Sequence, residues 1–362
     1  MDLFDQASQT SQVRRLRGLA LIALANYPVQ VRRLRLVQHS HNTTFRVDAV
    51  DGTHYALRIS RPGFHTRDEV TSELRWQLAL RRDTALEVPE PIPTRGGDLV
   101  LTAQAPGVPE PRLCVLLRWV RGRFLTRSLL PVHLEEVGSF TARLHCHAHT
   151  WEAPSGFQRG RVDALTAVGR RGVYATAGDV LEGIDSPLAL ADWEQSTNLV
   201  ATLCSPEDTA IVDRVVRNAG AAFQALVTVP DTFGLIHADL HFQNVLFQGR
   251  VAGAIDFDLS GFGPYVFDLG VTLVQIQHLA TYGALRGALL TGYRRVRALP
   301  PEHETYLDAC AVLRRLQFVL LALELCENPS FSLRDAWLAG ARPALDHIKG
   351  LAATVASQMA EV

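Results

Sequence analysis

The chain changes texture once, at Gly122, and that change limits what it can fold into. Before it the apolar residues come in short runs: Leu34 to Val37, Phe45 to Val50, Tyr55 to Ile59, Leu99 to Thr102 and Cys114 to Val120. These read as strands, with Asp51-Gly52 marking a hairpin turn between the second and third. Two helical patterns interrupt them, one over residues 8–26, ended by Asn26 and Pro28, and one over 66–82. After Gly122 the spacing predicts helices over 132–149, 188–202, 207–227, 265–281, 302–326 and 332–357, with the Gly-rich stretch 153–187 as a long connection. A length of 362 residues accommodates two lobes, each with its own core. The expectation is an α+β chain: a small β-rich N-lobe with one inserted helix, then a larger, mainly α C-lobe.

Composition removes several classes of function. Hydrophobic residues at 47% and charged residues at 20% exclude a disordered chain. A net charge of -1 supplies no global basic field, so no nucleic-acid partner is expected. Cys114, Cys146, Cys204, Cys310 and Cys326 are scattered without a Cys-x-x-Cys pair, which supports neither a disulfide framework nor a zinc ribbon. The first residues lack the basic and apolar character of a secretory signal, and the apolar stretch Leu19 to Ala25 is short against the roughly 20 residues of a bilayer span. A cytoplasmic protein without a membrane partner is expected. Of 36 Lys+Arg residues, only Lys349 is a lysine.

The chemistry concentrates between Leu235 and Asp258. Val245-Leu246-Phe247 and Val251-Ala252-Gly253-Ala254-Ile255 flank the polar turn Gln248-Gly249-Arg250 and read as a hairpin. With those three residues as the loop, Phe247 faces Val251 and Asn244 faces Ala254. Asp256 then lies diagonal to Asn244 on one face, about 7 to 8 Å away between Cα atoms. A two-residue loop would turn Asn244 to the opposite face. An amide oxygen and a carboxylate on one face can share a Mg²⁺ ion, which takes oxygen ligands and keeps room for water and phosphate. Asp239 stands on the loop entering the hairpin, where a carboxylate can accept the proton of an attacking hydroxyl. Alone it could equally be a loop cap; His237, Asp239, Asn244 and Asp256 at this spacing make a coherent set for phosphoryl transfer.

Together with Asp268-Leu269-Gly270, these residues resemble the aminoglycoside phosphotransferase and choline kinase superfamily, whose fold is protein-kinase-like and two-lobed. The resemblance implies transfer of the γ-phosphate of ATP, with Mg, to an alcohol group. It implies Asp239 as catalytic base, Asn244 and Asp256 as magnesium ligands, and His237 and Asp268 as residues bracing the catalytic loop. It divides the chain into a nucleotide-binding N-lobe over 1–115, a hinge over 116–122, and a catalytic and acceptor-binding C-lobe over 123–362.

The nucleotide side follows from the same likeness. Arg58 occupies the slot where the superfamily generally has lysine, and would hold phosphates while pairing with a helix carboxylate, either Glu73 or Glu69 one turn earlier. Alternation puts Arg58 opposite Leu57 without saying which face looks inward. Gln38 to Thr43 would be the phosphate loop, using backbone amides with Ser40, Asn42 and Thr43, or else a plain polar turn. Arg118, Trp119 and Val120 would present backbone groups to adenine.

His145, His147 and His149 resemble a metal cluster only superficially, since no His-Glu-x-x-His accompanies them. The arginine pairs, 314–315 among them, read as solvated helix faces. The acceptor is expected to be a small-molecule hydroxyl compound. Asp179, Glu182, Asp185, Asp192, Glu194, Glu207, Asp208 and Asp213 fit either a cationic acceptor or ordinary solvated helices. Two rivals stay open: a protein Ser/Thr kinase of the bacterial stress-response type, and a nucleotide-binding pseudokinase module suggested by Arg58.

Overall fold

The computed structural model of the protein describes residues 4, 7–40, 42–125, 128–162, 173–174, 197–198, 200–227, 231–327 and 334–352. The expected helix over 188–202, most of the connection over 153–187, residues 353–357 and the acidic residues from Asp179 to Glu194 lie outside them, apart from 197–198 and 200–202 in that helix. The chain forms two compact units, one within Met1–Val120 and one beginning at Arg121.

The first unit opens with helix α1 (Gln9–Leu24) and strands β1 (Val31–His39), β2 (Thr43–Ala49) and β3 (His54–Ile59). Helix α2 (Arg67–Asp83) and strands β4 (Pro91–Ile92), β5 (Leu101–Ala103) and β6 (Arg112–Arg118) complete it. The strands make one antiparallel sheet in the order β1-β2-β3-β6-β4, with β5 also paired to β6. Both faces of the sheet are covered. Leu16, Leu19 and Ala23 of α1 share a core with Phe45, Val47, Leu57 and Leu116, while Val70 and Leu74 of α2 pack with Val115 and Leu117. Because side chains alternate along a strand, Arg58 falls on the α2 face, opposite Leu57.

The second unit carries helix α3 (Pro131–Thr150), strands β7 (Arg159–Gly160) and β8 (Val173–Tyr174), and helix α4 (Pro206–Val227). Strands β9 (Phe233–Ile236), β10 (Val245–Gln248), β11 (Val251–Ala254) and β12 (Gly261–Pro264) follow. It ends with helices α5 (Tyr265–Val274), α6 (Tyr282–Arg294), α7 (Pro301–Glu304), α8 (Leu307–Glu327) and α9 (Arg334–Gly350).

Three elements depart from the sequence reading. The expected helix over 265–281 stops at Val274, and that over 302–326 splits into α7 and α8. Helix α6 has no counterpart in the sequence reading, because its glycines lower intrinsic helix propensity by about 1 kcal/mol each against alanine. Tertiary packing overrides that cost. A Cβ on Gly138 of α3 would lie 2.0 Å from the Leu289 carbonyl oxygen, and one on Gly292 of α6 would lie 2.0 Å from that of Glu135. The two glycines let α3 and α6 touch backbone to backbone. Among the described residues no helix is long and apolar enough to cross a membrane.

Candidate active site

Strand β9 pairs antiparallel with β12 and delivers the chain into the loop that begins at His237. There Ala238 adopts a φ of 67°, a left-handed conformation that costs a non-glycine residue about 1 to 3 kcal/mol. The loop holds it because Asp268, in the first turn of α5, accepts both adjoining amides: Ala238 N–H on Oδ1 at 2.6 Å and His237 N–H on Oδ2 at 3.0 Å. His145 Nε2–H also donates to Oδ2 at 3.0 Å, and its Nδ1 accepts the Tyr293 hydroxyl at 3.0 Å. The first histidine of the superficial cluster is thus a buried bracket, and no metal-binding group of three or more His, Cys, Asp or Glu exists among the described residues. Burial pushes the His145 pKa down despite Asp268, so the ring is neutral.

The His237 ring lies beneath the loop. Its Nδ1 accepts Asp239 N–H at 3.2 Å, and its Nε2–H donates to the Ile255 carbonyl at 3.1 Å. Burial depresses its pKa, consistent with this neutral tautomer. Thr272 Oγ1 donates to the Leu240 carbonyl at 2.8 Å, fixing the far side of the loop.

Asp239 projects from this frame with its two carboxylate oxygens in different surroundings. Oδ2 accepts Asn244 Nδ2–H at 2.8 Å, and the same amide group donates to the Asp239 carbonyl at 3.0 Å. His241 Nε2 stands 3.3 Å from Oδ2, while Gln243 N–H occupies its Nδ1. Oδ1 is bound by the Arg314 guanidinium, which α8 supplies. Burial alone would raise the Asp239 pKa, but Arg314 and then His241 hold the carboxyl far below the usual carboxylate range.

The pair 314–315 is therefore no solvated helix face. Arg314 is four-fifths covered, and Arg315 turns its guanidinium onto Gln277 Oε1 at 3.0 Å and the Val274 carbonyl at 3.5 Å. Nothing local in the sequence marks Arg314: it lies 75 residues from Asp239, among many arginines.

The hairpin register also differs from expectation. Gln248 pairs with Val251 and Phe247 with Ala252, leaving Gly249-Arg250 as a two-residue loop. Gly249 takes a φ of 62° at the first loop position, the pattern of a type II′ turn, which continues the strand twist better than the expected three-residue loop. Asn244 accordingly stands opposite Ile255, whose N–H bonds the Asn244 carbonyl at 2.9 Å. Regular alternation does not put Asn244 and Asp256 on one face, and β11 has already ended at Ala254. Asp256 instead has a φ of 66°, which turns the chain out of the strand. Arg159 buttresses that turn from β7, donating to the Asp258 and Ser260 carbonyls at 2.6 Å each. The donor chemistry still fits a hard divalent cation: Asn244 spends Nδ2 on Asp239 and leaves Oδ1 without a hydrogen bond among the described residues, and Asp256 is a half-buried carboxylate.

The first unit holds the remaining sequence-selected residues. Arg58 and Glu73 form a buried two-pronged pair, with Nη1 to Oε1 at 2.9 Å and Nη2 to Oε2 at 2.7 Å, and Gln77 adds a bond to Oε1 at 2.9 Å. Glu69 is committed elsewhere, accepting the Thr66 amide and hydroxyl at 2.9 and 3.0 Å in a capping box at the start of α2.

In the polar loop, the Thr43 hydroxyl meets His39 Nδ1 at 2.8 Å, Ser40 Oγ accepts from Gln38 at 2.7 Å, and Asn42 Oδ1 accepts Arg61 N–H at 3.2 Å. These side chains shape the loop itself. At the other end of the sheet, Arg118 N–H goes to the Glu90 carbonyl and Trp119 N–H to that of His54, while Val120 N–H has no hydrogen bond among the described residues. Arg46 lies over the Trp119 ring at 5.1 Å.

Known proteins bear out the kinase-like reading. A homoserine kinase of Sinorhizobium fredii is 28% identical over 291 residues, spanning 76% of this chain and 77% of that protein. Another, from Polaromonas naphthalenivorans, is 23% identical over 278 residues, 74% of each chain. Among solved structures, a microcompartment-associated aminopropanol kinase shares 29% identity with a TM-score of 0.74, over 94% of this chain and 97% of that one. An amicoumacin kinase in complex with AMP-PNP and Ca²⁺ shares the fold at 18% identity and a TM-score of 0.68, over 94% and 96% of the two chains. Residues 33–300, which include Arg58, Asp239, Asn244 and Asp268, match the phosphotransferase enzyme family, and the chain belongs to that family.

Proposed function

We propose that the protein transfers the γ-phosphate of ATP to the hydroxyl of a short amino alcohol, with Asp239 as the base. The observation that carries this reading is the state of Asp239: a buried carboxylate, kept ionised by Arg314, on a loop whose strained backbone is clamped by Asp268. In the reaction the acceptor oxygen bonds to the γ-phosphorus as the bond to the β-phosphate oxygen breaks. Asp239 takes the hydroxyl proton and later releases it to solvent, so the products are a phosphate monoester, ADP and a proton. A base this strongly ionised orients the hydroxyl and collects its proton late, which suits a loose transition state.

Asn244 Oδ1 and the Asp256 carboxylate would hold magnesium, whose charge offsets that of the phosphates. Hydrogen bonding of Asn244 Nδ2 to Asp239 fixes the amide so that Oδ1 is the atom presented. On the first unit, Arg58 is the candidate for the nucleotide phosphates, with Glu73 holding its guanidinium in one orientation. Ser40, Asn42 and Thr43 would contribute there through the loop that their side chains shape, as candidates to lie beside the phosphates. Val120 is the hinge residue with an amide available to adenine, since those of Arg118 and Trp119 are engaged.

The acceptor class comes from the relatives. Homoserine and aminopropanol both carry an amine and a hydroxyl on a short carbon chain, and the kinases named for them are the relatives with high coverage and identities near 28%. Measuring acceptor-dependent ADP release with homoserine and 1-amino-2-propanol, for the native protein and Asp239→Ala, tests the reading. Turnover should fall by about 10² to 10⁴ in the variant while ATP binding persists. ADP release that neither acceptor stimulates would refute it.

A further inference from the structure

Resting on the amino-alcohol reading, we propose that Arg314 reads a carboxylate on the acceptor, so that the favoured substrate is a hydroxy amino acid rather than a carboxylate-free amino alcohol. Asp239 Oδ2 is occupied by Asn244 Nδ2–H at 2.8 Å and lies 3.3 Å from His241 Nε2. A hydroxyl surrendering its proton therefore approaches Oδ1, the oxygen that Arg314 binds. The acceptor's carbon chain must then run beside the guanidinium.

Arg314 has donors to spare. One Nη2 hydrogen goes to Asp239 and Nη1 reaches Gln317 Oε1 at 3.3 Å, while the side chain stays 20% exposed. A guanidinium has five N–H donors in a planar fork that matches a carboxylate two bonds at a time. A hydroxyl on Oδ1 and a carboxylate a few bonds away on Arg314 would be bound by one rigid pair of side chains. An acceptor carrying only an ammonium group gains nothing from Arg314 and is repelled by it.

Two of the three described acidic groups that might have favoured a purely cationic acceptor are already engaged, and the third, Glu207, is exposed. Asp208 pairs with Lys349 at 3.0 Å, and Asp213 with Arg217 at 3.0 Å. Arg314 also lies beyond the family match of residues 33–300, so the shared pattern gives it no role. Of the two acceptors that the relatives' names supply, homoserine has the carboxylate and aminopropanol lacks it.

The test compares kcat/KM for homoserine, homoserine carboxamide and 1-amino-2-propanol, using the full chain with Mg-ATP, in the native protein, Arg314→Gln and Arg314→Lys. The native protein should prefer homoserine to its carboxamide by about tenfold or more, the scale of one charge-assisted hydrogen bond. Arg314→Gln should bring that ratio close to one, chiefly through a higher KM for homoserine. Arg314→Lys should keep part of it, and decides the matter with the native ratio should the glutamine variant misfold. An equal fall in kcat for all three acceptors, with the ratio kept, would mean that Arg314 serves only Asp239 or the phosphate, and overturns the inference. So would a native protein indifferent to the carboxylate, although phosphotransfer to amino alcohols would stand. No turnover of any of the three would overturn that underlying reading itself.

Discussion

Glu73 in the first unit and Asp268 in the second are both fully buried carboxylates, and their charges are met by different means. Glu73 lies mid-helix and faces one full countercharge, the Arg58 fork on the neighbouring strand, with Gln77 in support. Asp268 has a neutral histidine and two backbone amides, those of His237 and Ala238, and it sits at a helix N-terminus whose dipole favours an anion. The first arrangement joins two regular elements that would pack anyway. The second creates a conformation, since no helix or strand would hold Ala238 at positive φ. One carboxylate orients a side chain and the other builds a backbone.

Removing each carboxylate should break this comparison at different places. Asp268→Ala strands three donors and releases the strain at Ala238, so it carries the larger expected effect: about 5 kcal/mol or more, from three charge-assisted bonds. Urea unfolding should report that loss, and ATP turnover should vanish with it. Glu73→Ala removes the two-pronged carboxylate from the buried Arg58 guanidinium and should cost about 3 to 5 kcal/mol. The sharper test replaces the pair together, as Arg58→Met with Glu73→Leu. Buried pairs exchanged for apolar residues of similar volume are often neutral or stabilising, so the double variant should regain most of the stability lost by Glu73→Ala. A double variant as unstable as the single one would show that Arg58 and Glu73 also shape the sheet.

The same contrast explains what the sequence made legible. The catalytic loop could be read because its parts lie close together in the chain, from His237 to Asp268, and their spacing reflects the chemistry. Strands β2 and β3 were visible through alternation, yet the direction of Arg58 was not, because α1 and α2 cover both faces of the sheet. The hairpin register was ambiguous since Gln248-Gly249-Arg250 suits two loop lengths, and the backbone twist at Gly249 chose the shorter. Helix α6 hid behind its own glycines. Arg314 left no local signal, as its role exists only once α8 lies beside the loop.

The smallest expected effect distinguishes Glu69 from Glu73 within one helix. Glu69 closes the capping box with Thr66 and stands 3.7 Å from His65, while Glu73 one turn later engages the Arg58 fork. Burial would raise its pKa, but the His65 ring beside it and the hydrogen bonds from the Thr66 amide and hydroxyl outweigh this and bring the carboxyl down to about 2 from an ordinary 4.5. A carboxyl depressed by folding stabilises the fold above its unfolded value, and the contribution is lost as pH falls through the folded one. Relative to Glu69→Gln, the native protein should be more stable by about 1 kcal/mol above pH 5, the usual worth of a helix cap. That margin should shrink as pH drops from 4.5 towards about 2. Amide exchange in the first turns of α2 reads it locally, without requiring the whole chain to unfold in one step. A margin that stays constant through this range would mean that the Glu69 charge contributes nothing to the cap, and that shape and hydrogen-bond count alone hold the start of the helix.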